Sequence, residues 1–249
     1  MHGIPTSKIV NILSIKPELF TFKMQQVMRK GSKEKSNVYQ LCYDGESNFR
    51  LYSSNFKCPF GASTFKNSGD NWTLACELSD KENSILKVVD GYLIWLIEKN
   101  MNDDMAIVEL KKTLNLTGMS IDVIARSYSK IMKDNQKDPE KYKPRLNAKV
   151  FFERALIYQG NSSNYTKINT ADENDINYAK KVIPYNGEGQ GLFRLAFWTG
   201  TKGDFGVSVY VDQLRVRESQ SNKTKGACLI PPYQEEESTH ELFSVRALF

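Results

Sequence analysis

Histidine is nearly missing from this 249-residue chain: only His2 and His240 occur, one near each end. No imidazole then falls within the expected core, which argues against triad or His-based acid–base chemistry. The four cysteines (Cys42, Cys58, Cys76 and Cys228) are scattered, with no CxxC pair and no His beside them. That spacing fits reduced thiols in an intracellular protein better than a zinc site. Asp103-Asp104 has no further carboxylate or His at ligand spacing. No metal, cofactor or catalytic residue is therefore expected. Long apolar runs are missing too. The longest cluster, Ile85 to Ile97, is broken by Lys87, Asp90 and Gly91, so no membrane span is expected. The first eight residues hold no uninterrupted apolar stretch, and no secretory signal is expected either.

What the chain does have is unevenly placed positive charge. Between Arg126 and Arg154 nine basic residues stand against four acidic ones, a net +5 that equals the formal charge of the whole protein. Tyr128, Tyr142, Phe151 and Phe152 are set among them. Cations attract a phosphate backbone by counterion release, and aromatic faces give unpaired bases a surface to stack on. A solvated basic face explains the same charges without a ligand. Residues 233–249 carry Glu235, Glu236, Glu237 and Glu241 against Arg246, a net −3, which leaves +8 on residues 1–232. A basic body with an acidic tail lets the tail compete with a polyanion.

Periodicity divides the body. Strand-like alternation is expected over Glu18 to Arg29, Val38 to Tyr43, Phe49 to Tyr52 and Trp72 to Ser79, with a hairpin turn at Asp44-Gly45. The period then changes: Ile85, Val88, Val89, Tyr92, Leu96 and Ile97 predict a helix over Asn83 to Lys99. Shorter helices follow over Met105 to Leu114 and Ser120 to Tyr128, then a loop, and a strand from Arg145 to Phe152. Residues 158–190 are polar, with little apolar periodicity, and read as a long flexible loop. Gly191 to Trp198 and Phe205 to Arg217 form a closing hairpin around Gly200-Thr-Lys-Gly-Asp. Strands, a helical insert (about 83–128) and strands again make an α+β fold. A Greek-key β-barrel of the oligonucleotide/oligosaccharide-binding (OB) type fits that order, as one domain over residues 1–217 with a C-terminal tail over 218–249.

Three pieces, taken in order, resemble a known family. They are Leu51-Tyr52 through Cys58-Pro-Phe-Gly61; Tyr128-Ser-Lys-Ile-Met-Lys133 followed by Tyr142-Lys-Pro-Arg-Leu-Asn-Ala-Lys149; and Phe205 through Val216. The family is the single-stranded-DNA-binding proteins of nucleocytoplasmic large DNA viruses, related to the OB-fold replication proteins of short-tailed phages. The match covers roughly residues 20 to 217. The resemblance implies an OB-type barrel, sequence-independent coating of single-stranded DNA in viral replication, recombination or repair, and no catalysis. It also implies an intracellular place, in a virus replication compartment of the host cytoplasm or nucleus. In the phage relatives an acidic tail ending in an aromatic residue occupies the DNA groove and docks replication partners. Glu235, Glu236, Glu237 and Phe249 answer to that description, but Ser244 to Phe249 is otherwise largely apolar.

The candidate DNA contacts fall into two kinds. Lys57, Lys130, Lys133, Lys143, Arg145, Lys149, Arg194 and Arg215 are candidates for phosphate. Arg145 and Lys149 share a strand face with Lys143, opposite Leu146, Ala148 and Val150. Tyr52, Phe60, Phe65, Trp72, Tyr128, Trp198 and also Phe56 and Tyr210 are candidates for base stacking or, equally, for core. A competing reading is a structural or scaffold protein, self-associating into a homo-oligomer through the apolar end of the tail, where replication proteins would otherwise dock.

Overall fold

The computed structural model describes residues 8–28, 35–64, 72–99, 104–134, 143–161, 164–168, 183 and 186–217, all within one compact unit, Met1–Ser219. Phe65 and the tail residues Glu235, Glu236, Glu237 and Phe249 lie outside the described residues. The elements run β1 (Lys8–Asn11), two short 3-10 turns, β2 (Phe20–Met28), β3 (Lys35–Tyr43), β4 (Phe49–Cys58), β5 (Ala62–Thr64) and β6 (Trp72–Leu78). The helices α1 (Asp80–Lys99), α2 (Met105–Thr113) and α3 (Ile121–Ser127) come next. Strands then return as β7 (Tyr128–Ser129), β8 (Met132–Lys133), β9 (Arg145–Val150), β10 (Leu156–Asn161), β11 (Asn164–Ile168), β12 (Gly187–Thr199) and β13 (Phe205–Val216). The fold is mixed α+β and mostly strand, with the helices inserted between β6 and β7.

Local chemistry explains the boundaries. Asp44 and Gly45 both take positive φ, 51° and 78°, and Tyr43 and Glu46 exchange two backbone hydrogen bonds around them. This is the tight turn that an Asp-Gly pair favours. It does not open a hairpin, however. β3 pairs with β2 over nine residue pairs, while β4 leaves for the main sheet. The first helix begins at Asp80, three residues before the expected Asn83, because Ser79 and Glu82 form a capping box. The Glu82 carboxylate accepts from Ser79 Oγ at 2.7 Å and from the Ser79 N–H at 3.1 Å, and the Glu82 N–H donates back to Ser79 Oγ at 3.3 Å.

The main sheet has eleven strands in the path β11-β10-β13-β12-β4-β6-β9-β8, with β1, β5 and β7 on its margins. β12 and β13 form its spine, paired antiparallel from Thr199↔Phe205 to Gly189↔Val216. The sheet curls until β9 meets β13, parallel, over Val209↔Ala148 and Tyr210↔Lys149. Two residue pairs make a seam, not a closed barrel, which corrects the expectation of closure. The other edge of β13 is shared with β7 and β10, each also parallel and short, so no single strand seals it.

Two further expectations change. The stretch from Tyr158 is not one flexible loop: β10 and β11 pair antiparallel, β10 adds to β13, and β12 already begins at Gly187. Their sequence is polar because these strands sit at the sheet margin, where Ile157 and Ile168 are the buried positions among the described residues. The loop expected after α3 instead holds β7 and β8, two-residue strands too short for any periodicity to show.

The core is continuous and strongly aromatic, with Phe20, Phe49, Phe56, Phe193 and Phe205 among its largest fully buried side chains. Phe56, a stacking candidate in the sequence, belongs here: its ring lies 5.7 Å from that of Phe193, across the β4–β12 ladder. Phe193→Ala should therefore cost about 3–5 kcal/mol of unfolding free energy, since the fully buried ring leaves a void that its close-packed neighbours fill only in part. Urea titration of the two proteins measures it.

Candidate nucleic-acid interface

One outward face of the curled sheet collects the polar positions of three elements. On β9, Leu146, Ala148 and Val150 are buried while Asn147 and Lys149 are exposed and Arg145 is half-exposed. On β13 the outward positions are Gly206, Ser208 and Tyr210, and on β12 they include Arg194 and Trp198. The β7–β8 turn, Ser129 to Lys133, closes the face on one side. Together they line a groove of about 440 Å³ formed by Lys130, Lys133, Asn147, Lys149, Trp198, Ser208 and Tyr210, among others. A smaller hollow of about 150 Å³, lined by Lys133, Asp134, Lys143, Arg145 and Asn147, shares two of its residues with the groove and extends it.

A buried carboxylate fixes the turn. Asp90 lies in the inward stripe of α1, between Leu86 and Leu93, and is 3% exposed. It accepts hydrogen bonds from Tyr128 Oη at 2.8 Å, from the Ile131 N–H at 2.7 Å and from the Met132 N–H at 3.1 Å. Burial raises its pKa from the ordinary 3.8, while the three donors and the nearby Lys133 charge pull it back down. From the other side Gly206 lets the turn approach: a Cβ there would stand 2.6 Å from the Ser129 carbonyl oxygen. β7 can pair with β13 at that point because Gly206 has no side chain.

The groove lysines differ in their surroundings from the other candidate cations. Lys143 is bound to Asp80 at 3.0 Å, Arg145 to Glu77 at 3.2 Å, and Arg194 to Asp212 at 3.2 Å. Asp212 also holds Arg50. Lys130, Lys133 and Lys149 make no ion pair among the described residues. Lys133 Nζ donates to Ser129 Oγ at 2.8 Å, and Lys149 Nζ to Ser208 Oγ at 3.3 Å, so neutral hydroxyls orient both ammonium groups. Desolvation lowers the pKa of Lys133 and the Lys130 charge adds to that, with Asp90 opposing. A lysine in that position gains from an arriving anion.

The remaining candidates are placed as follows. Phe60 is 47% exposed, with the Arg145 guanidinium 4.5 Å above its ring, at the far end of the smaller hollow. Arg194 lies 4.8 Å from the Tyr210 ring centre. Tyr128 is corrected: its ring is 6% exposed, packs against Phe205 and spends its hydroxyl on Asp90, so it positions the turn from inside. Trp72 packs edge-on against buried Phe152 at 5.7 Å, at the rim of the core. Tyr52 and Lys57 lie on β4, and Arg215 near the end of β13, and none of them lines the groove or the hollow. Asn147, Ser129, Ser208 and above all Asp90 were missed. Asn147 was legible, falling midway between Arg145 and Lys149 on one strand face, and so was Asp90, a charge at helical spacing within an apolar stripe.

A raised pKa in the folded state means that Asp90 stabilises the fold more when protonated than when ionised. Its contribution is present in full below 3.8 and falls as pH rises through the raised native value. Relative to Asp90→Asn, which does not titrate, the protein should lose stability across that interval by about 1.4 kcal/mol for each pH unit by which the native pKa exceeds the unfolded one. Denaturant titrations of both proteins from pH 3 to 8 read the difference. A gain in that direction would contradict the assignment.

No family model matches the chain, and no curated protein matches it. Among solved structures, the single-stranded-DNA-binding protein from bacteriophage Enc34 in complex with ssDNA is similar at 12% identity and a TM-score of 0.41, over 68% of this chain and 86% of that one. A C-terminal truncation of the Enc34 protein is similar at 14% identity and a TM-score of 0.40, over 79% of this chain and 96% of that one.

Proposed function

We propose that this protein binds single-stranded DNA without sequence preference and performs no catalysis. One observation carries the reading: three lysines that make no ion pair among the described residues converge with Trp198 on a single groove. Phosphate neutralisation supplies affinity, and an aromatic wall accepts bases that have no partner strand. A duplex, whose bases already stack on one another, has nothing to give that wall. The strand pairing supports an OB-type reading: β4, β6, β9, β13 and β12 each join the next, as in a partly open five-stranded Greek-key barrel. Coating of single strands in viral DNA replication, recombination or repair, within a host-cell replication compartment, belongs to the same proposal. So does membership of the large-DNA-virus family, which rests on the three sequence pieces.

Fluorescent oligo-dT titrated at several salt concentrations tests this. The slope of log affinity against log salt should be about −0.7 per phosphate neutralised on a single strand. Replacing Lys130, Lys133 and Lys149 together with alanine should flatten that slope by about 2. Trp198→Ala should weaken binding by about 1–3 kcal/mol and leave the slope alone. Lys143→Ala, whose charge Asp80 already answers, should do little. Absence of binding at about 50 mM salt, or equal affinity for duplex, sinks the proposal.

A further inference from the structure

Beyond the groove, β9 leads to a second aromatic feature that the reading above does not use. Phe151 directly follows the strand and continues its outward series Arg145, Asn147, Lys149. Its ring lies nearly parallel to that of Tyr210, 5.7 Å between centres and 17° between planes. Tyr210 is held in turn by cations: Arg194 at 4.8 Å and Lys149 at 5.5 Å from its ring centre. Arg154 stands 5.9 Å from the Phe151 centre, about the limit of a useful cation–π contact. Arg154 makes no ion pair among the described residues, whereas Arg194 is committed to Asp212. Phe151 is 37% exposed. A partly exposed phenyl ring stacked on Tyr210, with the Arg154 guanidinium over it, offers what a stacked nucleotide needs: an aromatic surface and a cation for its phosphate.

We propose that Phe151, positioned by Tyr210 and flanked by Arg154, is a second base-stacking station, so that one copy of the protein holds a strand along the whole length of β9. The inference rests on the single-stranded-DNA reading above. Phe60 over Arg145 marks one end of this tract and Phe151 beside Arg154 the other, with Lys133, Lys149 and Trp198 between them. Six residue steps on a strand separate Arg145 from Phe151, about 20 Å at ~3.3 Å per residue. At the stacked spacing of 3.4 Å that is about six nucleotides, within the range of about 4–16 that OB folds occlude.

The experiment compares Phe151→Ala, Phe151→Leu, Arg154→Ala and Phe60→Ala with the unmodified full chain on an oligo-dT of about 12 nucleotides. Phe151→Ala should weaken binding about 5- to 160-fold with an unchanged salt slope, the effect of losing one stacked base. Phe151→Leu, which keeps apolar bulk without the flat face, should lose most of the same affinity. Arg154→Ala should flatten the slope by about 0.7. Losses from Phe151→Ala and Phe60→Ala should multiply in the double variant, because the two sites are far apart. Thermal unfolding checks that each variant is folded, and the leucine variant keeps the test alive should the alanine one fail. If the unmodified protein binds and the triple lysine variant loses binding while both Phe151 variants stay within twofold, this station is refuted and the groove stands. If the unmodified protein does not bind, both fall.

Discussion

Asp90 occupies a position where an aliphatic side chain would ordinarily complete the buried stripe of α1, and the geometry of the basic groove depends on it. Its carboxylate gathers two backbone N–H groups and one phenol from the β7–β8 turn. Without the carboxylate these buried donors would lose that acceptor, and a buried donor left unmet costs about 1–3 kcal/mol. The helical insert is thereby more than an insertion between strands. It carries the group that ties Lys130 and Lys133 to the sheet. An aromatic row, Phe22–Phe197–Phe205–Tyr128, with successive centres 4.8, 6.1 and 5.5 Å apart, backs the same turn from the core side.

Charge count alone would rank all the basic residues of this face together, and the ion pairs separate them. Glu77, Asp80 and Asp212 each answer a cation: Arg145–Glu77 ties β9 to β6, Arg194–Asp212 ties β12 to β13, and Lys143–Asp80 ties the approach to β9 to the start of α1. Exposed pairs of this kind add only about 0–1 kcal/mol to stability. Their larger consequence is to concentrate the unanswered positive potential at Lys130, Lys133 and Lys149. A net charge of +5 on the whole chain is modest. Confined to one groove, a few uncompensated charges produce a far steeper local field.

The fold was legible where the signal was local and periodic. The helix of Ile85 to Ile97, the Asp44-Gly45 turn and the β12–β13 hairpin all follow from spacing and turn chemistry. Of the basic run between Arg126 and Arg154, Lys130, Lys133 and Lys149 come together on one groove. What escaped depends on contacts distant in sequence. β7 and β8 depend on partners far away in sequence: Asp90, about forty residues earlier, Gly206 beside β7, about eighty later, and β9 along β8. Tyr128 looked like a surface aromatic because its neighbours are basic, yet its partners are Asp90 and Phe205. β10 and β11 read as loop because strands at a sheet margin need few apolar residues. The seam between β9 and β13 leaves no trace in either strand, since both alternate as any half-buried strand does.

That seam has a mechanical meaning. The groove floor is built from both sides of it, Asn147 and Lys149 from one strand, Ser208 and Tyr210 from the other, and only two residue pairs hold those strands together. Any molecule that grips both sides braces that short joint. The free energy of occupancy then appears as resistance of the joint to parting, in proportion to RT ln(1 + [L]/Kd). Empty, the sheet is held along β9–β13 by two residue pairs alone. Filled, it behaves as a ring whose last link the ligand supplies.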